Sequence, residues 1–255
     1  MSVDIFKVGQ VRRYCREGIY EEFKVLYCKG GSMRARNWLF FVILAMVILL
    51  VGRTCFASDD GDFQFWSKAR VYFDINKDWR FAFEEEFKFG ENAGNLYSHH
   101  SDFGFEYKSF ADWVDFGFYY RQAYEKDSED KWREEHRPHL DVTLKGKLFD
   151  LGLSDRSRLE YRDREKAKDV WRYRNKVTAT LPIELTRFKL KPYVADEVFF
   201  NLDTKGYYRN RLYGGVTFGL SKDVKGEVYY LWQSSRSGGD WEEINALGAT
   251  LRFYF

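Results

Sequence analysis

The sequence predicts an all-β protein: a single closed antiparallel transmembrane β-barrel of ten to twelve strands, preceded by an N-terminal signal helix. Three observations lead to this prediction. Long runs alternate apolar with ionic residues, aromatic residues are abundant, and a last strand ends on the final residue, Phe255. A period of two with one apolar face is typical of a β-strand, and about 9–11 residues take a tilted strand across a bilayer.

The composition fits a barrel whose two faces meet different environments. The 255 residues include 24 Phe, 18 Tyr and 8 Trp but only 3 Pro, and 31% of the residues are charged. Aromatic girdles facing lipid and a polar interior account for this combination, whereas a helical membrane bundle does not. The formal net charge of +2 and the lack of a basic binding motif argue against a nucleic-acid partner.

The amino-terminal segment predicts export. Residues 38–51 form an apolar run of 14 residues that follows Arg34 and Arg36. This length is short for a spanning helix at about 1.5 Å per residue but suits the core of a secretory signal. We therefore predict a signal peptide over residues 33–57, cleaved after Ala57. An uncleaved membrane anchor is the alternative.

The remaining boundaries follow from that cleavage site. Residues 1–32 have no interpretable pattern and precede Met33, so they are predicted to be a non-native extension from a misassigned start, and residues 58–255 form the barrel. The cysteines, Cys15, Cys28 and Cys55, all precede the cut. The mature chain would therefore have no disulfide and no thiolate metal site, and we predict neither a metal nor a cofactor.

Alternation along the mature chain assigns the two faces of each strand. In residues 79–89 one set is Trp79, Phe81, Phe83, Glu85, Phe87 and Phe89, and the other is Arg80, Ala82, Glu84, Glu86 and Lys88. Such runs extend over ten to fifteen residues, whereas strands of about five or six are typical of soluble sandwiches. The apolar set is therefore predicted to face lipid. A soluble sugar-binding or partner-binding β protein is the competing interpretation.

Polar breaks between the runs predict two rims. Periplasmic turns are predicted at residues 76–78, 109–112, 145–147 and 221–223, and outer loops at 90–95, 125–131, 163–169, 201–206 and 234–240. We count about eleven strand-like runs. Because bacterial single-chain barrels have even numbers of strands, twelve is slightly preferred within the range of ten to twelve.

Several stretches carry a family resemblance. They begin at Glu134 (EEHRPHLDV), Ser157 (SRLEYRDR), Trp171 (WRYRNK), Pro192 (PYVADEVFFN) and Asn210 (NRLYGGVTFGLSKDVKGEVYYLWQS). Together they resemble the bacterial outer-membrane β-barrel family catalogued as domain of unknown function 2490. The resemblance implies the barrel fold, the lipid bilayer of the outer membrane as surroundings, and location there after export. It implies no biochemical activity.

The final strand resembles the assembly signal of outer-membrane barrels. Alternate residues from Leu247 to Phe255 form its apolar face. We predict that Leu251, Phe253 and Phe255 are recognised by the barrel-insertion machinery.

The polar faces of the strands supply the candidate site. The early strands are acidic and the middle ones strongly basic, and all are predicted to line the lumen. These residues are Glu84, Glu86, Asp102, Asp115, Arg121, Arg133, Glu135, Arg137, His139, Asp141, Arg156, Arg158, Glu160, Arg162, Arg172, Arg174, Lys176, Glu197, Arg209 and Arg211. Complete pairing would give a salt-bridged, structural or anchoring barrel. Surplus arginines would give a narrow pore that prefers small anionic solutes.

Two His-x-Asp pairs raise an enzymatic alternative, a hydrolase acting on lipid or peptide at the outer rim. His100 with Asp102 and His139 with Asp141 each lie on one strand face. Ser98 and Ser101 are close to the first pair, and Ser98 shares the face of His100 whereas Ser101 does not. A histidine oriented by a carboxylate can activate water or a serine. However, a lumen this rich in charge contains such pairs by chance, and neither G-x-S-x-G nor H-E-x-x-H occurs. The sequence therefore favours a protein that is not an enzyme.

Overall fold

The computed structural model describes residues 62–186, 188–204, 206–237 and 239–255. Its strands are β1 Phe63–Asp74, β2 Trp79–Gly90, β3 Asn95–Ala111, β4 Val114–Lys126, β5 Trp132–Leu148, β6 Leu151–Arg164, β7 Val170–Thr180, β8 Lys191–Asn201, β9 Gly206–Gly219, β10 Val224–Ser237 and β11 Asp240–Tyr254. The predicted extension 1–32 and signal peptide 33–57 lie outside the described residues. Within the described part of the chain, no helix is long and apolar enough to span a membrane.

The eleven strands form one closed barrel, as the sequence predicts. Strands that are neighbours in sequence pair antiparallel, and β1 closes the barrel against β11 in parallel, from the pair Phe63 and Asn245 to the pair Tyr72 and Tyr254. The preference for twelve strands was wrong. An even number is unnecessary because a parallel ladder also satisfies the backbone groups of both edge strands, which is what the bilayer requires.

Burial follows the predicted alternation in β2. Phe83 and Phe87 are 36% and 39% exposed on the outside, whereas Glu84 and Glu86 are 6% and 5% exposed on the inside. Apolar rings thus cover the outer wall, and carboxylates point into the lumen. This arrangement is the reverse of a soluble sandwich, whose rings would meet in a core.

Aromatic pairs surround both ends of the barrel. At the end that contains Phe255, here called the C-terminal rim, Phe73 stacks on Phe255 with ring centroids 5.2 Å apart. At the opposite rim, Tyr161 lies 5.2 Å from Trp171. Exposed rings at two levels, with an apolar band between them, are typical of the girdles of membrane barrels.

Three predicted connections lie largely within strands. Residues 109–111 of the predicted turn 109–112 are the end of β3, which stops at Ala111. Residues 145–147 lie inside β5, where Gly146 pairs with Leu153, and the turn comes at residues 149–150. Most of 234–240 also continues β10 and β11. Lys145, Gly146 and Lys147 resemble a turn, although Leu144 and Leu148 continue the exposed apolar face and the backbone ladder continues through them. Residues 181–190 form a further connection at the C-terminal rim, which the sequence analysis did not assign.

Two inward-facing tyrosines lie flat against the wall because glycines make room for them. A Cβ at Gly104 would lie 2.6 Å from Cδ1 of Tyr119, and one at Gly248 would overlap the ring of Tyr229. Any larger residue would push these rings toward the barrel axis. The glycines therefore help to keep the lumen open.

Candidate functional site

A cavity of about 410 Å³ occupies the barrel interior, and its lining is predominantly cationic. Fourteen lining residues are basic: Lys68, Arg70, Lys88, Arg121, Arg137, Arg156, Arg158, Arg162, Arg172, Arg174, Lys176, Arg209, Arg211 and Arg252. Six are acidic: Glu84, Glu86, Asp102, Glu125, Glu197 and Glu227. The cavity surface thus has a formal excess of positive charge.

The cavity extends along most of the barrel. Its lining residues on β11 run from Ile244 to Arg252. At about 3.3 Å per residue, this distance is about 26 Å along the tilted strand. A smaller cavity of about 100 Å³ lies toward the C-terminal rim, and Arg70 and Arg156 line both cavities. Nη2 of Arg70 donates to Oη of Tyr119 at 2.8 Å, so these two side chains form part of the partition between them.

Buried carboxylates act as hubs that are each shared by several cations. Oε1 of Glu197, which is only 1% exposed, accepts from Arg174 at 2.7 Å and Arg156 at 3.0 Å, and its Oε2 accepts from Tyr213 at 2.8 Å. Glu160 likewise accepts from Nη1 of Arg174 at 2.9 Å and also binds Arg172. Sharing leaves fewer negative than positive charges on this wall.

The imbalance is concentrated on β5 to β9. The cations on these strands that line the main cavity are Arg137, Arg156, Arg158, Arg162, Arg172, Arg174, Lys176, Arg209 and Arg211, nine in all. The inward carboxylates there are Glu135, Asp141, Glu160 and Glu197, which are four. Nine minus four leaves a formal excess of five positive charges on one half of the wall.

Four guanidinium groups surround one buried ring, Phe199. Their carbon atoms lie 5.7 Å (Arg172), 4.7 Å (Arg174), 5.7 Å (Arg209) and 4.9 Å (Arg211) from its centroid. We call these five residues the Phe199 cluster. Arg172 and Arg174 also pair with the buried carboxylates of Glu160 and Glu197. A ring face offsets a cation by only about 0.5–2 kcal/mol, so the positive charge that the cluster keeps is mainly that of Arg209 and Arg211.

Two members of the Phe199 cluster are oriented by neutral partners. Nε of Arg209 donates to Oγ of Ser235 at 2.8 Å, and Nε of Arg211 donates to Oε1 of Gln233 at 2.7 Å. Nη1 of Arg211 is 3.8 Å from Glu197. Among the described residues, Arg209 has no ion pair with a carboxylate.

The acidic wall on β2 and β3 is neutralised locally. Nζ of Lys68 lies 3.2 Å from Glu84 and 3.1 Å from Glu86, and Nη2 of Arg121 lies 2.5 Å from Asp102. Glu84, His100 and Asp102 bring three ligand-type atoms within 4.8 Å of one another. A metal ion there would have to compete with these ammonium and guanidinium groups for the same oxygens.

Both predicted histidine pairs belong to this ionic network. His139 bridges two carboxylates, with Nδ1 3.2 Å from Asp141 and Nε2 3.2 Å from Asp102. His100 lies 3.5 Å from Glu84 and 3.4 Å from Glu86. Both rings therefore have carboxylate neighbours that hold them in place.

The predicted lumen residues occupy three levels. Most line the main cavity or are buried in the wall around it. Asp115 lines the smaller cavity and accepts from Nζ of Lys145 at 2.8 Å. Arg133 lies at the opposite rim, where its Nε donates to Asp127 at 2.7 Å. The backbone N–H of Lys131 and the side chain of Arg133 lower the pKa of Asp127 below its ordinary value, so this carboxylate stays charged at the mouth.

Sequence reasoning missed part of the lining. The cations Lys68 and Arg70 on β1 alternate with outward residues, so strict alternation would have identified them. Phe199, Tyr213 and Tyr229 also face inward, and no polarity rule could have placed them there. An interior large enough for rings between charged groups becomes visible only once the barrel is closed.

Comparisons with known proteins bear on the family and the fold. The sequence model of the family described as "Protein of unknown function (DUF2490)" matches residues 63–243. No curated protein matches the chain. Among solved structures, the chain is similar to LpxR from Salmonella typhimurium, with 9% identity and a TM-score of 0.47 over 73% of this chain and 87% of that one. It is also similar to outer-membrane expressed OmpT of Vibrio cholerae, with 12% identity and a TM-score of 0.36 over 63% of this chain and 57% of that one.

Proposed function

The chain belongs to the family described as "Protein of unknown function (DUF2490)", and we propose that it is a narrow outer-membrane barrel whose lumen takes up and passes small anions. The observation that carries this proposal is the charge of the main cavity. Fourteen basic side chains line it with six acidic ones, and only three further carboxylates of the described residues, Glu135, Asp141 and Glu160, are buried behind the lining. Clustered positive charge behind low-dielectric walls raises the local concentration of anions.

Electrostatics makes a dry, fully paired lumen the less favourable alternative. The wall from β5 to β9 has five more cations than carboxylates, and excess buried charge is costly unless water or mobile counter-ions neutralise it. A cavity that extends about 26 Å along β11 has room for both water and anions beside these arginines.

The partition near the C-terminal rim favours a second candidate, a structural or anchoring barrel without transport. Arg70 contacts both Tyr119 and Glu106 between the two cavities, with an Nη2 to Oε1 distance of 3.2 Å to the carboxylate. If this layer stays closed, solutes enter from one side only. The two candidates differ in whether the barrel conducts.

Conductance of the refolded barrel in a planar bilayer tests the proposal. In a KCl gradient, the reversal potential should correspond to a preference for chloride over potassium. Arg209→Glu should reduce that preference because it changes the lumen charge by two. Lys131→Glu is the matched control, since the same charge change is made on an exposed loop, with that side chain 64% exposed. A correctly folded barrel that stays silent would refute the pore and favour the anchoring barrel.

We also propose a sidedness and a route of export. Leu251 and Phe255 are exposed on the outer wall at the C-terminal rim, where the insertion machinery would read them together with Phe253. With that rim in the periplasm, β1 begins at the cell exterior, because the strand count is odd. Amino-terminal sequencing should give a mature start near Ser58, and a start near Met1 would contradict cleavage.

The proposal gives no catalytic role to His100 or His139. Both rings contact two carboxylates each, and Ser101 donates to Glu85 on the outer face. His100→Ala and His139→Ala should leave lipid composition and proteolysis unchanged in cells. A change in either, with normal barrel levels, would restore the hydrolase alternative.

A further inference from the structure

We propose that the Phe199 cluster is a binding site for a phosphoryl group, carried by inorganic phosphate or a small phosphate ester. The inference rests on the proposed anion preference and makes it specific, since it names the chemical class of anion and the residues that select it. Halide ions would pass the same lumen but would not saturate this site.

The first argument is the kind of donor that the cluster presents. All four of its cations are arginines, and a guanidinium offers planar pairs of N–H groups that match two oxygens of a phosphate or carboxylate. Arg172 and Arg174 use theirs on Glu160 and Glu197, whereas Arg209 and Arg211 engage neutral partners through Nε. A halide has no oxygen pair and gains nothing from this geometry. Arginine in place of lysine at positions 209 and 211 therefore indicates an oxyanion.

The second argument is the charge that the ligand must supply. The wall from β5 to β9 has an excess of five positive charges, and a phosphate carries about −1.5 to −2 near neutral pH. One phosphoryl group thus neutralises about twice as much of this excess as one carboxylate or halide does. This favours phosphate within the oxyanion class.

The third argument is preorganisation. Arg172, Arg174 and Arg211 are at least nine-tenths buried against Phe199. Hydrogen bonds to Ser235 and Gln233 hold Nε of Arg209 and Arg211 without consuming their charge. Donors that are already ordered lose little entropy on binding, which increases affinity. The adjoining cavity of about 410 Å³ has room for a phosphate ester.

Isothermal titration of the purified, refolded barrel tests the site directly. Inorganic phosphate added at constant ionic strength should bind saturably, and chloride should not. Arg209→Gln with Arg211→Gln should weaken phosphate binding by about tenfold or more, because two charge-assisted hydrogen bonds are lost. Arg80→Gln is the control, since Arg80 pairs with Asp74 at the C-terminal rim, away from the cluster.

A conservative variant separates the effect of guanidinium geometry on phosphate binding from the effect of positive charge. Arg209→Lys with Arg211→Lys keeps both charges, so the chloride preference in bilayers should persist while phosphate binding falls. Equal binding by this variant and the parent would overturn the argument from guanidinium geometry. If phosphate has no more effect than chloride on the parent protein, the phosphoryl site is refuted.

The outcomes distinguish this inference from the proposed function. An anion-selective current without saturable phosphate binding would overturn the site and leave the pore standing. Saturable phosphate binding in a silent barrel would support the site and overturn the pore. Glycerol 3-phosphate tests a soluble phosphate ester as the source of the phosphoryl group. Phosphatidic acid in mixed detergent micelles tests a lipid headgroup with the same monoester.

Discussion

Glu197→Gln is the substitution that most directly tests how the lumen is held together. Glu197 accepts from Arg174 at 2.7 Å, Arg156 at 3.0 Å and Tyr213 at 2.8 Å, and lies 3.8 Å from Arg211. The amide keeps the shape but removes the charge, which leaves three guanidinium groups without their common counter-ion. Breaking a buried ion pair from one side costs about 3–5 kcal/mol.

Glu197 lines the main cavity, which has room for water to solvate the unpaired guanidinium groups, so we expect a loss at the lower end of that range. A loss of about 3 kcal/mol corresponds to about a hundredfold change in the ratio of folded to unfolded protein. Unfolding in urea, followed by tryptophan fluorescence in detergent micelles, measures this change. Added phosphate should restore part of the stability, because the anion replaces the missing charge.

Glu129→Gln is the control, since Glu129 pairs with Lys131 on an exposed loop. Substitutions of this kind usually change stability by no more than about 0.5 kcal/mol. If Glu197→Gln unfolds at the same urea concentration as Glu129→Gln, then Glu197 is not a structural hub. The claim that the basic wall depends on shared carboxylates would be wrong.

Three further predictions follow from the packing and the termini. Gly248→Leu should destabilise the barrel by about 1–3 kcal/mol or more through overlap with the inward tyrosine beside it, seen as a lower temperature of the heat-modifiable gel shift. Gly214→Ala, where a Cβ meets nothing within 4 Å, should not change that temperature. Phe255→Ser should lower the amount of barrel in the outer membrane without impairing refolding in detergent. Phe63→Ser at the opposite rim should leave both the amount of barrel and its refolding unchanged. Arg70→Ala should raise single-channel conductance by joining the two cavities, and unchanged conductance would exclude this partition as the constriction.

Much of the barrel could be predicted because membrane strands have a simple local code. Phe83 and Glu84 are adjacent in sequence yet face lipid and lumen, and a period of two is enough to separate them. The code fails where turn-type residues lie inside a strand. Gly146 was placed in a turn because two lysines flank it, although its backbone pairs with Leu153 and Leu144 and Leu148 continue the outer face.

The candidate site could be predicted in part. Alternation identified Glu197, Arg174 and Arg211 as inward-facing, but not that one carboxylate serves several arginines. Phe199 was not recognised, because an inward ring breaks the rule that the lumen is polar. The ring belongs to the candidate site only because arginines of β7 and arginines of β9 both contact it. The arginines of the two strands are 35 or more positions apart in sequence, so no local pattern shows that they meet.

By itself, the sequence determined which side of each strand faces hydrocarbon and which half of the wall is basic, because both depend on residue identity at alternate positions. Only the tertiary structure decided the number of strands, the parallel closure of β1 on β11, and the pairing of each cation. Ring closure fixes the register of all eleven strands at once, and that register determines which charges meet across the lumen and which remain for a ligand.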